Sequence, residues 1–172
     1  MSKHTNIRPV VHADRKYIIQ SYLYDMEESP MFMTKQGHPM PGLIRDDYFG
    51  YQHKLIEDFL PRSVKKAAAY MCCEDGANHL YKGYLIAEPY ENLPVVHFLK
   101  VKKGAQQQGV ATALMERFFQ DFGYERGVNN VVYTMPTKDI HRKAWLQDWI
   151  KRNRGVYLPW FVFLAAESEW DK

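Results

Sequence analysis

The chain has 172 residues and a mass of 20.3 kDa, which fits one domain with a full hydrophobic core. Apolar residues make up 46% of it and charged residues 25%, a composition that excludes a largely disordered chain. The net charge of +3, with histidines neutral, is too small a surplus to predict a nucleic-acid partner. We therefore expect a single domain over residues 1–172.

The two cysteines, Cys72 and Cys73, are adjacent. Neighbouring cysteines neither staple a fold nor supply the four ligands of a structural metal site, so we expect a reducing compartment and no metal. No apolar run approaches the roughly 20 residues that span a bilayer, and "MSKHTNIRPV" lacks the apolar core of a signal peptide. These features predict a cytoplasmic protein with no membrane partner.

The first part of the chain predicts a strand and two helices. "TNIRPV" has the composition of a strand, and "HADRKYIIQSYLYDM" has the spacing of a helix. Residues 28–43 hold three prolines and two glycines without a sustained period, which predicts a long loop. A helical spacing resumes over residues 45–60, and we expect Pro61 to end that helix.

The period then changes, because residues 63–73, 79–88 and 94–101 are short strand-like runs separated by turn residues. They predict an antiparallel meander. A helix over 108–123, a strand over 129–135, a helix over 138–153 and a strand over 156–165 follow. The order βααβββαβαβ predicts a mixed α/β fold whose central, mostly antiparallel sheet of about six strands is flanked by about four helices.

The stretch "KKGAQQQ" connects the strand that ends at Val101 to the next helix. The first turn of a helix leaves amide hydrogens unpaired at the positive end of its dipole, so this loop can bind a phosphate. Gly109 allows a ligand to approach the backbone closely, and Lys102 and Lys103 add positive charge. The same residues also fit a plain polar loop at the start of a helix.

The wider stretch "LKVKKGAQQQGVATALM" resembles the coenzyme A motif of the GNAT superfamily of N-acetyltransferases. In that motif a strand ending Leu-x-Val is followed by (Gln/Arg)-x-x-Gly-x-(Gly/Ala), and the predicted element order resembles the GNAT fold over about residues 5–163. The resemblance implies acetyl-CoA as co-substrate, with its pyrophosphate on the loop amides and its pantetheine arm along the strand. The residues it assigns to the coenzyme are Leu99, Val101, Gln106, Gln107, Gln108, Gly109, Val110 and Ala111.

Acetyl transfer needs a neutral amine, so a general base is expected. His97 precedes Leu99 and Val101 by two and four residues, which predicts that all three share one face of the strand. Some GNAT amine acetyltransferases carry a histidine at this place, so the resemblance makes His97 the candidate base. A core histidine bonded to a backbone carbonyl is the alternative. Val95 stands where other members carry a glutamate.

The general acid is a second candidate position. Many GNAT enzymes carry a Phe-Tyr-x-x-x-Gly-Phe pattern whose tyrosine protonates the leaving thiolate. Aligned on Gly155, this chain has Ile150 and Lys151 at the first two places, so the usual tyrosine is absent. Tyr133 is the candidate acid, with His141 or solvent as alternatives.

The resemblance implies an acetyl-CoA-dependent N-acetyltransferase, monomeric or homodimeric, acting on an amine of a small molecule or a protein. Two other functions stay open. One is a noncatalytic GNAT-fold module that binds coenzyme A or a protein. The other is an acyltransferase acting on nucleic acid or aminoacylated RNA, for which the isoelectric point of 8.7 is the argument. We expect the segment over residues 28–45 to set acceptor choice.

Overall fold

The computed structural model describes residues 5–27, 42–134 and 144–158. Its strands are β1 (Thr5–Pro9), β2 (Ala69–Glu74), β3 (Ala77–Tyr90), β4 (Leu93–Val101), β5 (Val131–Tyr133) and β6 (Gly155–Tyr157). Its helices are α1 (Arg15–Glu27), α2 (Gly42–Lys65), α3 (Val110–Phe122) and α4 (Ala144–Arg152). The element order is the predicted one.

All six strands form one sheet in the order β1-β2-β3-β4-β5-β6. Neighbouring strands are antiparallel from β1 to β4, as expected for a meander with short turns. The pairs β4-β5 and β5-β6 are parallel, and α3 makes the crossover between β4 and β5. The predicted mixed, mostly antiparallel sheet is therefore confirmed.

The sheet separates two hydrophobic cores. One lies against α1 and α2 and includes Ile18, Tyr22, Ile56, Phe59, Ile86 and Phe98. The other lies against α3 and includes Leu85, Val96, Leu114, Phe118 and Tyr133. Consecutive strand residues Leu85 and Ile86 belong to different cores, because side chains alternate between the two faces of a strand. The two faces are called the α2 face and the α3 face below.

Helix α2 is longer than the sequence predicted. It begins at Gly42 and continues past Pro61 to Lys65, so residues 63–68 are not part of a strand. Pro61 is exposed, and water can bind the Glu57 carbonyl that the proline leaves without an amide partner. The last turn is held by tertiary contacts, since Arg62 and Lys66 both bind Glu88 on β3.

Several predicted segments lie outside the described residues. They are most of the 28–43 loop, the first part of the 138–153 helix with His141, and the strand beyond residue 158. Within the part of the chain that the structure describes, none of the helices has the length and apolar character to cross a bilayer.

Candidate functional site

The β4–α3 connection has a defined backbone shape. A 3-10 turn over Lys103–Ala105 leads to Gln107 with φ 63° and Gly109 with φ 77°, and α3 begins at Val110. A positive φ disfavours side chains with a Cβ, so the backbone alone gives position 109 a reason to be glycine. Among the described residues, a Cβ built on Gly109 would have no atom within 4 Å apart from those of the adjoining chain. The space above this residue is open to a ligand.

Anchors at both ends hold this connection. Ala105 and Val110 are buried, while the residues between Gln106 and Val110 are exposed. The side-chain amide of Gln106 donates to the Val101 carbonyl at 3.4 Å, and that of Gln108 donates to the Gly104 carbonyl at 3.1 Å. The buried ends and the two side-chain hydrogen bonds therefore fix the conformation of the loop, whose backbone between them is exposed.

The start of α3 favours an anion. Ala113 donates to the carbonyl of Gly109, the N-cap residue, at 2.9 Å. The amides of Val110, Ala111 and Thr112 thus lie in the first turn, where a helix leaves its N–H groups without intrahelical partners. No acidic residue stands in that turn. The positive end of the helix dipole is not neutralised locally, so phosphate oxygens are suitable ligands.

Strand β4 extends past the point where β5 pairs with it. In the described part of the chain, the β4-β5 ladder joins Val95 to Val132 and Val96 to Tyr133, and the Thr134 amide donates to the Val96 carbonyl at 3.0 Å. Leu99 and Val101 lie on the stretch of β4 that follows, and they pack against the core of the α3 face.

A β-bulge places His97. Ile86 pairs with Phe98, but the next residue of β3, Ala87, pairs with Val96. His97 is the extra residue of β4, and a bulge of this kind breaks the alternation of faces. Val96 consequently belongs to the core of the α3 face while Phe98 belongs to that of the α2 face.

The expectation that His97 shares a face with Leu99 and Val101 is therefore wrong. The His97 ring lies against Phe59 of α2, with ring centroids 4.3 Å apart, whereas Leu99 and Val101 pack on the α3 face. The physical reason is the bulge. A bulge depends on how two strands pair, so it cannot be recognised from the hydrophobic period of one strand. The bulge points the candidate base away from the α3 face.

Both ring nitrogens of His97 lie near polar groups. The distance from Nδ1 to Oγ1 of Thr134 is 2.8 Å, and that from Nε2 to Oε1 of Glu88 is 3.6 Å. The residue is 1% exposed. The histidine is buried, as the alternative interpretation expected, but its hydrogen bond is to a hydroxyl and not to a backbone carbonyl.

Glu88 is a fully buried carboxylate that the sequence analysis missed. It accepts hydrogen bonds from Arg62 at 2.9 and 3.2 Å and from Lys66 at 3.1 Å. Burial by itself raises the pKa of Glu88, but His97 and Arg62 outweigh burial and lower that pKa to about 2. Glu88 is thus an anion at neutral pH.

Glu88 pairs directly with Val95 in the β3-β4 register. The carboxylate that β4 lacks at position 95 is thus present on the neighbouring strand at the same level. A signal existed in the sequence, because Glu88 follows Ile86 by two residues, and the period of a strand places both on the core face.

Tyr133 lies on the opposite face of the sheet from His97. It is 7% exposed and packs in the core of the α3 face, and burial raises the pKa of its phenol. Among the described residues its hydroxyl has no hydrogen-bond partner. The ring lies beside Gly155, where a Cβ would come within 2.8 Å of Cε2 of Tyr133. Lys151, at the place of the usual tyrosine, is exposed.

Of the comparisons with known proteins, the one with solved structures agrees with this fold. No protein-family model matches the sequence, and no curated protein matches it. Among solved structures, a GNAT-family acetyltransferase from Staphylococcus aureus MU50 is 12% identical with a TM-score of 0.52, covering 87% of this chain and 82% of that one. A GCN5-related N-acetyltransferase from Ralstonia eutropha JMP134 is 14% identical with a TM-score of 0.52, covering 86% and 90%.

The ribosomal-protein-S18-alanine N-acetyltransferase from Escherichia coli is also similar, at 13% identity and a TM-score of 0.50, covering 86% of this chain and 74% of that one. At these identities the likeness shows the fold alone. The chain has the fold of the GNAT acetyltransferases, as the sequence predicted.

Proposed function

We propose that this protein is an acetyl-CoA-dependent N-acetyltransferase that moves an acetyl group to an amine acceptor. The observation that carries the proposal is the loop over residues 104–111, which joins β4 to the start of α3 within a GNAT fold. Its sequence fits the coenzyme motif, and its exposed backbone and acid-free helix start fit the pyrophosphate. The site thus pairs a recognisable motif with a suitable geometry.

The residues present fit coenzyme A in three respects. The open space over Gly109 leaves room for phosphate oxygens beside the backbone. Lys102 and Lys103 are exposed next to the loop and add positive charge. Leu99 and Val101 continue β4 past its ladder with β5, where an extended pantetheine arm would lie. When bound, the acetyl-CoA thioester supplies the acetyl group.

The two candidate catalytic residues lie at adjacent levels of the sheet on opposite faces. His97 is on the α2 face, where it would serve as the base that deprotonates the acceptor amine, directly or through a neighbouring group. Tyr133 is on the α3 face, where its hydroxyl would protonate the leaving thiolate. It lies beside the end of α4, close to the place of the usual tyrosine. In this arrangement the acceptor approaches from the α2 face and the coenzyme from the α3 face.

A noncatalytic coenzyme-binding module is the second candidate. Lys151 stands where many GNAT enzymes carry the tyrosine, and both His97 and Tyr133 are buried. Such a module would bind acetyl-CoA through the same loop without transferring the acetyl group.

The two candidates differ in turnover. The protein is incubated with acetyl-CoA and three acceptors in turn: a lysine peptide with a blocked N-terminus, a lysine-free peptide with a free N-terminus, and a short diamine. We expect release of the free coenzyme thiol above the acceptor-free rate, with acetylated product seen by mass spectrometry. Binding of acetyl-CoA by calorimetry without any release favours the noncatalytic module. Absence of binding contradicts both.

A further inference from the structure

Three polar side chains from neighbouring strands form a line through the α2 face. Oγ1 of Thr134, directly after β5, lies 2.8 Å from Nδ1 of His97 on β4. Nε2 of the same ring lies 3.6 Å from Oε1 of Glu88 on β3. The exposed fractions of the three residues are 0%, 1% and 0%. A hydroxyl, an imidazole and a carboxylate in this order are the groups of a catalytic triad.

The surroundings determine which ring nitrogen carries the proton. Glu88 is an anion held by Arg62 and Lys66, and an anion near Nε2 favours the tautomer with hydrogen on Nε2. In that tautomer Nδ1 is the basic nitrogen, and the 2.8 Å contact is then a hydrogen bond that the Thr134 hydroxyl donates to it. Thr134 is as buried as the ring, and its hydroxyl occupies the lone pair of Nδ1, so a proton that arrives at Nδ1 passes through that hydroxyl.

We propose that Thr134, His97 and Glu88 form a proton relay in which the Thr134 hydroxyl, and not the imidazole, receives the proton of the acceptor amine. The inference rests on the proposed function and specifies how its base works. Glu88 is a positioning residue that acts through His97. Thr134 is the catalytic residue, because it meets the amine or a water bound to it.

An N–H bond of the acceptor ammonium breaks as a new O–H bond forms on Thr134, while the original hydroxyl proton of Thr134 passes to Nδ1 of His97. The imidazole becomes an imidazolium, and the amine becomes neutral with a lone pair to attack the thioester carbon. His97 returns its proton to solvent after the transfer.

The charges around His97 give the relay a pH signature. In the described part of the chain the charge beside the ring is that of Glu88 on β3, and the charges that bind Glu88 in turn are those of Arg62 and Lys66 at the end of α2. The carboxylate favours the imidazolium and the two cations disfavour it. Glu88→Gln should therefore move the titration of His97 to lower pH, and Lys66→Met should move it to higher pH.

Nitrogen-15 NMR of the histidine rings tests this part without an acceptor. His97→Gln identifies the signals of His97 in the full chain. We expect the tautomer with hydrogen on Nε2, and opposite shifts of the titration in Glu88→Gln and Lys66→Met. Glu57→Gln and Lys65→Met are equivalent changes at a half-buried and an exposed position of α2, and they should leave the titration of His97 where it is in the wild type. Hydrogen on Nδ1, or no difference from these controls, overturns the relay.

Because Glu88 is fully buried, its variant can fail to fold, and Lys66→Met then decides, since the Lys66 side chain is 37% exposed. Turnover with an acceptor from the proposed assay tests the role of the hydroxyl. Thr134→Val keeps the shape of threonine and removes its hydroxyl, and Thr134→Ser keeps the hydroxyl.

We expect Thr134→Val to lower kcat by about tenfold to a hundredfold with acetyl-CoA affinity unchanged, and Thr134→Ser to stay within about threefold of the wild type. Equal rates in both variants, or equal losses in both, overturn the relay. If Thr134→Val does not fold, Thr134→Ser is compared with Thr134→Ala. A wild type that binds acetyl-CoA but transfers nothing removes the proposed function as well, while the tautomer result stands on its own.

Discussion

Two hydrogen bonds join the guanidinium of Arg62 on α2 to the carboxylate of Glu88 on β3, at 2.9 and 3.2 Å. Charge-assisted pairs with this two-point geometry are among the stronger polar contacts in proteins. The pair attaches the last turn of α2 to the sheet at the level where His97 lies. Stability and the candidate catalytic site therefore depend on the same carboxylate.

Glu88 should make stability depend on pH. Its pKa is about 2 in the folded protein against an ordinary value of 4.5, so its ionised form contributes on the order of 3 kcal/mol to the free energy of unfolding. Because the folded pKa is the lower one, this contribution is complete above about pH 4.5 and is lost as the pH falls toward 2. In urea unfolding, the difference in the free energy of unfolding between the wild type and Glu88→Gln should become smaller as the pH falls from about 4.5 to 2.

Glu57→Gln is the control for that series. Glu57 pairs with Arg15 at 2.8 Å, and both side chains are more than a third exposed, so the pair contributes little. The free energy of unfolding of Glu57→Gln should change with pH in nearly the same way as that of the wild type. A constant gap between Glu88→Gln and the wild type at every pH would contradict the assigned ionisation of Glu88.

Replacing Pro61 by alanine should stabilise α2. The exposed proline removes one backbone hydrogen bond from the helix that runs from Gly42 to Lys65, and alanine restores an amide that can donate to the Glu57 carbonyl. We expect the free energy of unfolding to rise by about 1 to 3 kcal/mol, reduced by the greater freedom of the unfolded chain. A loss of stability would show that the helix does not continue through this position.

His97→Gln should separate catalysis from coenzyme binding. Glutamine keeps polarity and approximate size near Thr134, so acetyl-CoA affinity should stay nearly intact in calorimetry. Turnover should fall by about a hundredfold or more, and the acidic limb of the pH–rate profile should move. A folded variant with an unchanged profile would assign the base to another group or to water.

Tyr133→Phe should lower turnover without lowering stability. Burying a hydroxyl that lacks a partner among the described residues is costly, so phenylalanine should raise the free energy of unfolding by up to about 1 kcal/mol. If Tyr133 is the general acid, kcat should fall by about tenfold to a hundredfold. Tyr124→Phe, whose hydroxyl donates to the backbone of Glu91 and Leu93, is the activity control. Equal turnover in both variants would remove Tyr133 from the mechanism.

The features that follow from local pattern were predictable from the sequence. The element order, the mixed sheet and the β4–α3 loop all follow from hydrophobic period and from a motif within one stretch of chain. The positive φ at Gly109 agrees with the glycine that the motif places there.

The predictions that were wrong or missing depend on contacts between segments that are distant in the sequence. Pro61 fails to end α2 because Arg62 and Lys66 bind Glu88, which lies on another element. The face of His97 depends on a bulge, and a bulge is set by the pairing of two strands. From one sequence, a buried carboxylate can be recognised only as a charged residue at a core-facing position of a strand. Glu88 is such a residue, because it follows the core residue Ile86 by two positions.

Calorimetric titration of acetyl-CoA into the wild type, Gly109→Glu and Gly127→Glu tests the central claim most directly. Both glycines have positive φ, 77° and 78°, and in the described part of the chain neither Cβ would contact atoms beyond the adjoining residues, so both variants carry similar strain and the same added charge. We predict tight binding to the wild type and to Gly127→Glu. Binding to Gly109→Glu should be weaker by on the order of tenfold to a thousandfold, because this variant loses one or two charge-assisted hydrogen bonds. Equal affinity of the two folded variants would contradict a coenzyme site at residues 104–111.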